Sequence, residues 1–290
     1  MVLPSLVYLA GKVFITFVGR QPGLYFMRGF VDRSIDFEGF GWHRLFMERP
    51  DKCSLPISQT ALVVAFFNEE RGRVCKNLKS FFPRASIHVF RSLPPKGTGI
   101  HAAHHICGCL ESAGLPIDPE RSMECACREA LLGDADCERM RDKIVIHPGS
   151  GDLKKNHPPD FWIELLDRLS REAGFQNLRH IILLGPAEEY LYSFFKENPK
   201  PSQTEIRFSP DKDPLVGVLR EAVLYLGHDS GITHLAAMLG TPAVALFKES
   251  DANTWRPLGP YVRVIRNKES GPEFIDKVLK ASRDLIRSGA

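Results

Sequence analysis

"YLGHDSGITHLAAMLGTPAVALF", residues 225–247, reads as a strand, a helix and a second strand in immediate succession. An apolar run ends at Gly227, and Asp229 and Ser230 stand where a helix N-cap belongs. Gly240 and Pro242 then stop the helix after about three turns, and apolar residues resume at once. Neither apolar run alternates with polar residues, so both strands are expected to be covered on both faces, as in a parallel sheet flanked by helices.

The same rhythm extends in both directions. "VFITFV" at 13–18, "SIDF" at 34–37, "ALVVAFF" at 61–67 and "SIHVF" at 86–90 are short runs rich in Val, Ile and Phe. "KIVIHPG" at 143–149, "HIILLG" at 180–185, "AVLYLG" at 222–227, "PAVALF" at 242–247 and "VRVI" at 262–265 repeat the pattern. Between the two groups, "GLPIDPERSMECACREALLGDAD" has Pro, acidic residues and no sustained period. Two doubly wound, Rossmann-like α/β domains are predicted, at 1–115 and 141–290, with a junction over 116–140.

Composition is that of an ordinary soluble chain: 290 residues, 43% hydrophobic and 25% charged, with a net charge of only +3. Disorder, collagen and a membrane bundle are excluded, and no nucleic-acid partner is expected. The first hundred residues hold 14 basic against 7 acidic side chains, a mild bias that a solvated surface explains as well as an anionic substrate does. Seven Cys, with one-residue gaps in Cys107-Gly-Cys109 and Cys125-Ala-Cys127, fit reduced thiols in a cytoplasm better than a zinc knuckle. No secretory leader and no membrane-length apolar run are evident.

The chemistry concentrates at strand ends, where open α/β sheets bind ligands. Ser230, Gly231 and His234 fall at or near a helix N-terminus, whose free N–H groups and dipole favour phosphate, and Gly231 allows close approach. Capping alone would account for Asp229 and Ser230 but not for His234. A second loop, "HPGSGDLKKNHPP" at 147–159, carries Gly149 and Gly151 for a tight turn, Ser150 as a hydroxyl, and Lys154 and Lys155 as cations. It is neither a dinucleotide fingerprint nor a P-loop, and two exposed lysines are as often decoration as ligands. "LLGPAEEY" at 183–190 offers Glu188 or Glu189 to ribose hydroxyls, or simply as acids in a first helical turn. His101, His105 and Cys109 share a helical face, but no matching ligands are identifiable, so no metal site is expected. "GHDSG" is not a G-x-S-x-G nucleophile elbow.

"HPGSGDLKKNHP" and "GHDSGITHLAAMLGTPAVALF", with "GPAEE" between them, resemble glycosyltransferase family 9, the lipopolysaccharide heptosyltransferases. The resemblance runs from about residue 2 to the last strands and is specific in the second half; "ITFVGR" and "VDRSIDFEG" in the first half are weaker. It implies a GT-B-like fold, with an acceptor-side first domain and a second domain that binds a nucleotide sugar. It implies donor contacts from Lys155 and the Asp229, Ser230, Gly231 turn, with Ser150 and His234 close by and Glu188 on the ribose. His157 departs from the family's usual Trp.

The implied reaction is transfer of a sugar, heptose from an ADP-linked donor, to a lipopolysaccharide-core or related glycan or glycolipid acceptor. An inverting mechanism would use a carboxylate base and no metal or other cofactor, in the cytoplasm or at the cytoplasmic face of the inner membrane. Family members open with a strand and a Gly-Asp loop carrying the base, whereas "VLPSLVYLA" here resembles the helix that follows. The first domain is therefore expected to be incomplete. Asp36, Glu69 and Glu70 are the substitute bases at hand, and a rival reading is a binding protein that has lost the chemistry. Without a central first strand, either the protein continues upstream or the strands at 13–18 and 61–67 pair directly.

Overall fold

The computed structural model describes residues 1–51, 55–57, 59–67, 72–133, 141–198 and 200–287. The chain divides into two compact α/β units, Met1–Cys125 and Ala126–Ala290. The helix Pro119–Arg128 spans the division, where the sequence shows no apolar period. Its inner positions are small, with Ser122 and Ala126 buried four residues apart, so it packs without the large residues that make a helix legible. Asp118 starts it by accepting the Arg121 N–H (3.0 Å).

In the first unit, β1 (Thr16–Gly19) pairs in parallel with β2 (Arg33–Asp36), and β3 (Leu62–Phe66) with β4 (Ser86–Phe90). Of the two alternatives for the strands at 13–18 and 61–67, direct pairing is not seen: among the described residues β1 and β3 belong to separate two-stranded ladders. Side chains do the joining instead. Val18, Val63, Ala65 and Ile87 pack on Trp42, Leu45, Val74 and Leu78 on one face. Ile15, Val64 and Phe66 pack on Leu9, Ile106 and Leu110 on the other, so helices cover both faces as a parallel arrangement requires.

The second unit holds a single six-stranded parallel sheet. Its strands are β5 (Lys143–His147), β6 (Arg179–Leu184), β7 (Thr204–Phe208), β8 (Ala222–His228), β9 (Ala243–Phe247) and β10 (Val262–Arg266). The spatial order is β10-β9-β8-β5-β6-β7. Numbered within the unit and read from the β7 edge, this is 3-2-1-4-5-6, the doubly wound Rossmann order. Sequence reasoning missed β7, "TEIRF", because it is an edge strand that alternates polar and apolar residues. The central strands β5 and β9 are buried at every position. Trp162, Leu165, Leu166 and Leu169 of the helix Pro159–Arg171 pack on them with Ile144, Ile146, Leu226 and Phe274. Each such buried side chain contributes about 1.5–3 kcal/mol of transfer free energy, which fixes the strand ends that carry the site.

Candidate functional site

The strand order reverses between β5 and β8, and the loops leaving these two strands meet there. After β8, Ser230 caps the helix Gly231–Met238, its hydroxyl accepting the Thr233 N–H (3.3 Å). The helix runs about two turns, shorter than expected. A Cβ at Gly231 would meet nothing within 4 Å, so the first turn is open to an approaching group. After β5, Asp152 accepts the Lys154 N–H (3.0 Å) and starts a short 3-10 turn, Leu153–Lys155.

That turn aims Lys155 at the β8 loop, where its ammonium donates to Asp229 Oδ2 at 2.8 Å. His234 Nε2 lies 3.7 Å from Asp229 Oδ1. Burial alone would push the Asp229 carboxyl up, but the nearby His234 imidazole, the Lys155 ammonium and the Ser250 hydroxyl outweigh it and hold the pKa at about 2. Burial lowers the His234 pKa in spite of Asp229, so this imidazole is neutral at pH 7. An ionised Asp229 occupies one of the three Lys155 donors and leaves two for a ligand.

Glu188 is brought to the same loop, but it faces inward. Its carboxylate accepts the Gly185 N–H (2.8 Å), and its side chain is 5% exposed. His147 Nε2 lies 3.7 Å from it, while His147 Nδ1 is 3.3 Å from the Ser230 hydroxyl. The nearby His147 imidazole leads the causes that lower the Glu188 pKa, against the effect of burial, with the backbones of Gly185 and Gly151 adding to it. Glu189 is exposed. The Ser150 hydroxyl turns toward its own loop, donating to the Asp152 carbonyl (3.0 Å) and lying 2.5 Å from the Asn156 side-chain oxygen.

His157 is a core residue. Its ring stacks on His228 at 5.4 Å between centroids and packs on Phe161 and Phe274, and its Nδ1 is 2.7 Å from the Ser270 hydroxyl. The His157 N–H donates to His228 Nε2 (2.9 Å), which requires that nitrogen to be unprotonated. Burial lowers the pKa values to about 4 for His157, where the Lys248 ammonium adds to it, and to about 3 for His228, where the neighbouring imidazoles of His157 and His147 add to it.

Sequence reasoning missed His147, Asn156, Lys248 and Trp255. An open cleft of about 640 Å³ is lined by Asp152, Lys154, Lys155, Lys248, Glu249, Ser250 and Trp255. The position of Lys248, directly after the apolar run 242–247, was the available signal, since it is a third strand end beside the other two.

The remaining candidates are elsewhere. Asp36, at the end of β2, accepts the Glu38 N–H (2.9 Å) and so closes a local turn; Glu69 and Glu70 lie outside the described residues. His101 caps the helix Ala102–Ser112 by accepting the Ala103 N–H (3.2 Å), and His105 Nε2 bonds the Arg91 carbonyl (3.0 Å). Among the described residues no three His, Cys, Asp or Glu side chains are placed to hold a metal ion. No described helix is long and apolar enough to cross a membrane.

Two Rossmann-like α/β units, the second with lysines and a helix N-terminus at its switch point, define the class. Residues 110–280 match the family model described as "Glycosyltransferase family 9 (heptosyltransferase)", and the chain belongs to that family. Lipopolysaccharide heptosyltransferase 3 of Escherichia coli (strain K12) is 27% identical over 187 residues, covering 62% of this chain and 50% of the relative. The chain thus spans about half the length of the curated relative it matches. A solved family 9 glycosyltransferase from Veillonella parvula superposes with a TM-score of 0.68 at 17% identity, covering 99% of this chain and 93% of that one. E. coli heptosyltransferase WaaC with ADP gives 0.67 at 14% identity, covering 98% and 95%. These neighbours establish the fold as the GT-B-like one that the family resemblance implies.

Proposed function

We propose that the chain is a glycosyltransferase that takes a heptose from an ADP-linked donor and transfers it to a lipopolysaccharide-core or related glycan acceptor. The observation that carries this reading is the Lys155–Asp229 pair beside the open first turn at Gly231, at the switch point of the sheet. A diphosphate there would accept the two remaining Lys155 hydrogen bonds and the N–H groups of the helix start, with Ser150, Ser230 and His234 around it. Glu188 would reach the ribose only by giving up part of its inward hydrogen bonding.

In the reaction, an acceptor hydroxyl oxygen attacks the anomeric carbon from the face opposite the diphosphate. The bond from that carbon to the diphosphate oxygen breaks, and a carboxylate takes the hydroxyl proton. Lys155 and the helix N-terminus stabilise the charge developing on the leaving oxygen, so no metal ion is needed in this scheme. A second reading, donor binding without transfer, has one observation in its favour: the Asp36 carboxylate is engaged in its own turn.

Release of ADP from ADP-heptose, measured with and without a lipopolysaccharide-core acceptor, separates the two. The transferase reading expects acceptor-dependent release that survives EDTA. ADP binding without any release would establish the second reading, and EDTA-sensitive release restored by added metal would overturn the metal-free scheme.

A further inference from the structure

The cleft beside Lys155 has a feature that the donor contacts above do not use. Lys248, at the carboxyl end of β9, is half-buried, and its ammonium donates to the Asn156 backbone carbonyl at 3.2 Å. Among the described residues no acidic side chain pairs with it. The nearby acids are otherwise engaged: Asp229 pairs with Lys155, Asp152 caps the 3-10 turn, and Glu249 lies 3.8 Å from Lys268. The ammonium therefore has two unspent donors at the wall of an open cleft.

Its placement is held from both sides. The Asn156 carbonyl fixes the ammonium, and the side chain of the same Asn156 meets the Ser150 hydroxyl, so Lys248 is tied to the loop that presents Lys155. Trp255 forms another part of the wall, its ring packed against the small cluster of Ala245, Phe247 and Ala252. A phosphate bridging Lys155 and Lys248 would meet cations from two strand ends, which a diphosphate with two or three negative charges needs because Asp229 already offsets Lys155.

We propose that Lys248 is a second anion-binding residue for the donor diphosphate and that Trp255 lines the same subsite. The inference rests on the donor-binding reading, and its test separates the two. Titrating ADP and inorganic pyrophosphate by calorimetry should give about tenfold or greater weakening for Lys248→Ala, and comparable weakening for Lys248→Gln, which can keep a hydrogen bond to Asn156 without the charge. Lys248→Arg should retain most of the affinity.

Trp42 and Trp162 are buried, so Trp255 is the indole placed to report on the cleft. Both ligands should change the tryptophan fluorescence, and Trp255→Phe should remove that change. If Lys155→Ala weakens ADP while both Lys248 variants bind like the parent, the subsite is wrong and the donor reading stands. If neither lysine matters, both fail. A fluorescence change that persists in Trp255→Phe would remove Trp255 from the subsite.

Discussion

Glu188 lies so close to Gly149 that a Cβ at position 149 would fall inside the van der Waals envelope of the Glu188 Cγ, Cδ and Oε1. The glycine is there for close approach, since its φ is not in the left-handed region. Gly149→Ala must therefore displace Glu188 and with it the contacts to Gly185 and His147. The expected cost is about 1–3 kcal/mol of stability, as for other overpacked sites, read as a lower denaturant midpoint. Parent-like stability would show that Glu188 can swing away at no cost.

Lys155→Ala should weaken ADP binding by about 1.5–3 kcal/mol, the range for a lost charge-assisted hydrogen bond. It also strips Asp229 of one of the groups that hold its carboxyl at about 2. Carbon-13 NMR of the Asp229 carboxyl should then show titration at higher pH than in the parent. Unchanged ADP affinity in a folded variant would sink the assignment of Lys155.

Gly231→Val tests the helix start in isolation. The position is open, so the folded protein should lose little stability, while a branched side chain would stand between a phosphate and the backbone N–H groups. The expected outcome is a melting temperature within a few degrees of the parent and ADP affinity reduced at least about tenfold. Loss of stability without loss of affinity would reduce this turn to an ordinary capped helix.

The buried imidazoles make stability fall on the acid side. His157 and His228 titrate at about 4 and about 3 in the fold, below the roughly 6.5 of an unfolded chain, so the unfolded state binds more protons throughout that interval. Their contribution is complete above about pH 6.5 and shrinks as the pH falls toward the folded values, with a slope of up to about 1.4 kcal/mol per pH unit for each group. Urea unfolding between pH 7 and pH 4.5 should follow this slope, and His157→Phe should remove about one proton of it. A parent midpoint independent of pH over this range would refute the assignment.

Much of the second unit was legible because its central strands are continuous apolar runs ending in polar turns, and that continuity follows from burial on both faces. The strand ends near Ile146 and Gly227 were readable for the same reason, whereas Lys155 and Asp229 were brought to one site only by the family resemblance, and their direct pairing had no signal in the sequence. The inward turn of Glu188 was not readable either, because it depends on His147 and Gly149, which come from another strand and carry no local signal. His157 could be seen to depart from the family pattern, but its stacking on His228 joins positions 71 residues apart. Lys248 was passed over because a lone lysine after a strand looks like any solvated charge until its neighbours are known.

The separation of β1–β2 from β3–β4 bears on how the molecule opens. In the second unit β5 and β8 are flanked by partners on both sides, so their amides are released only when the whole sheet comes apart. In the first unit each ladder is two strands wide, and among the described residues packed side chains rather than backbone pairing connect it to the other. Hydrogen exchange should then divide the protein into two regimes, with the amides of β1 to β4 exchanging through local opening while those of β5 and β8 track global unfolding. The first unit would behave as the softer foldon, able to breathe without loosening the lysines at the switch point.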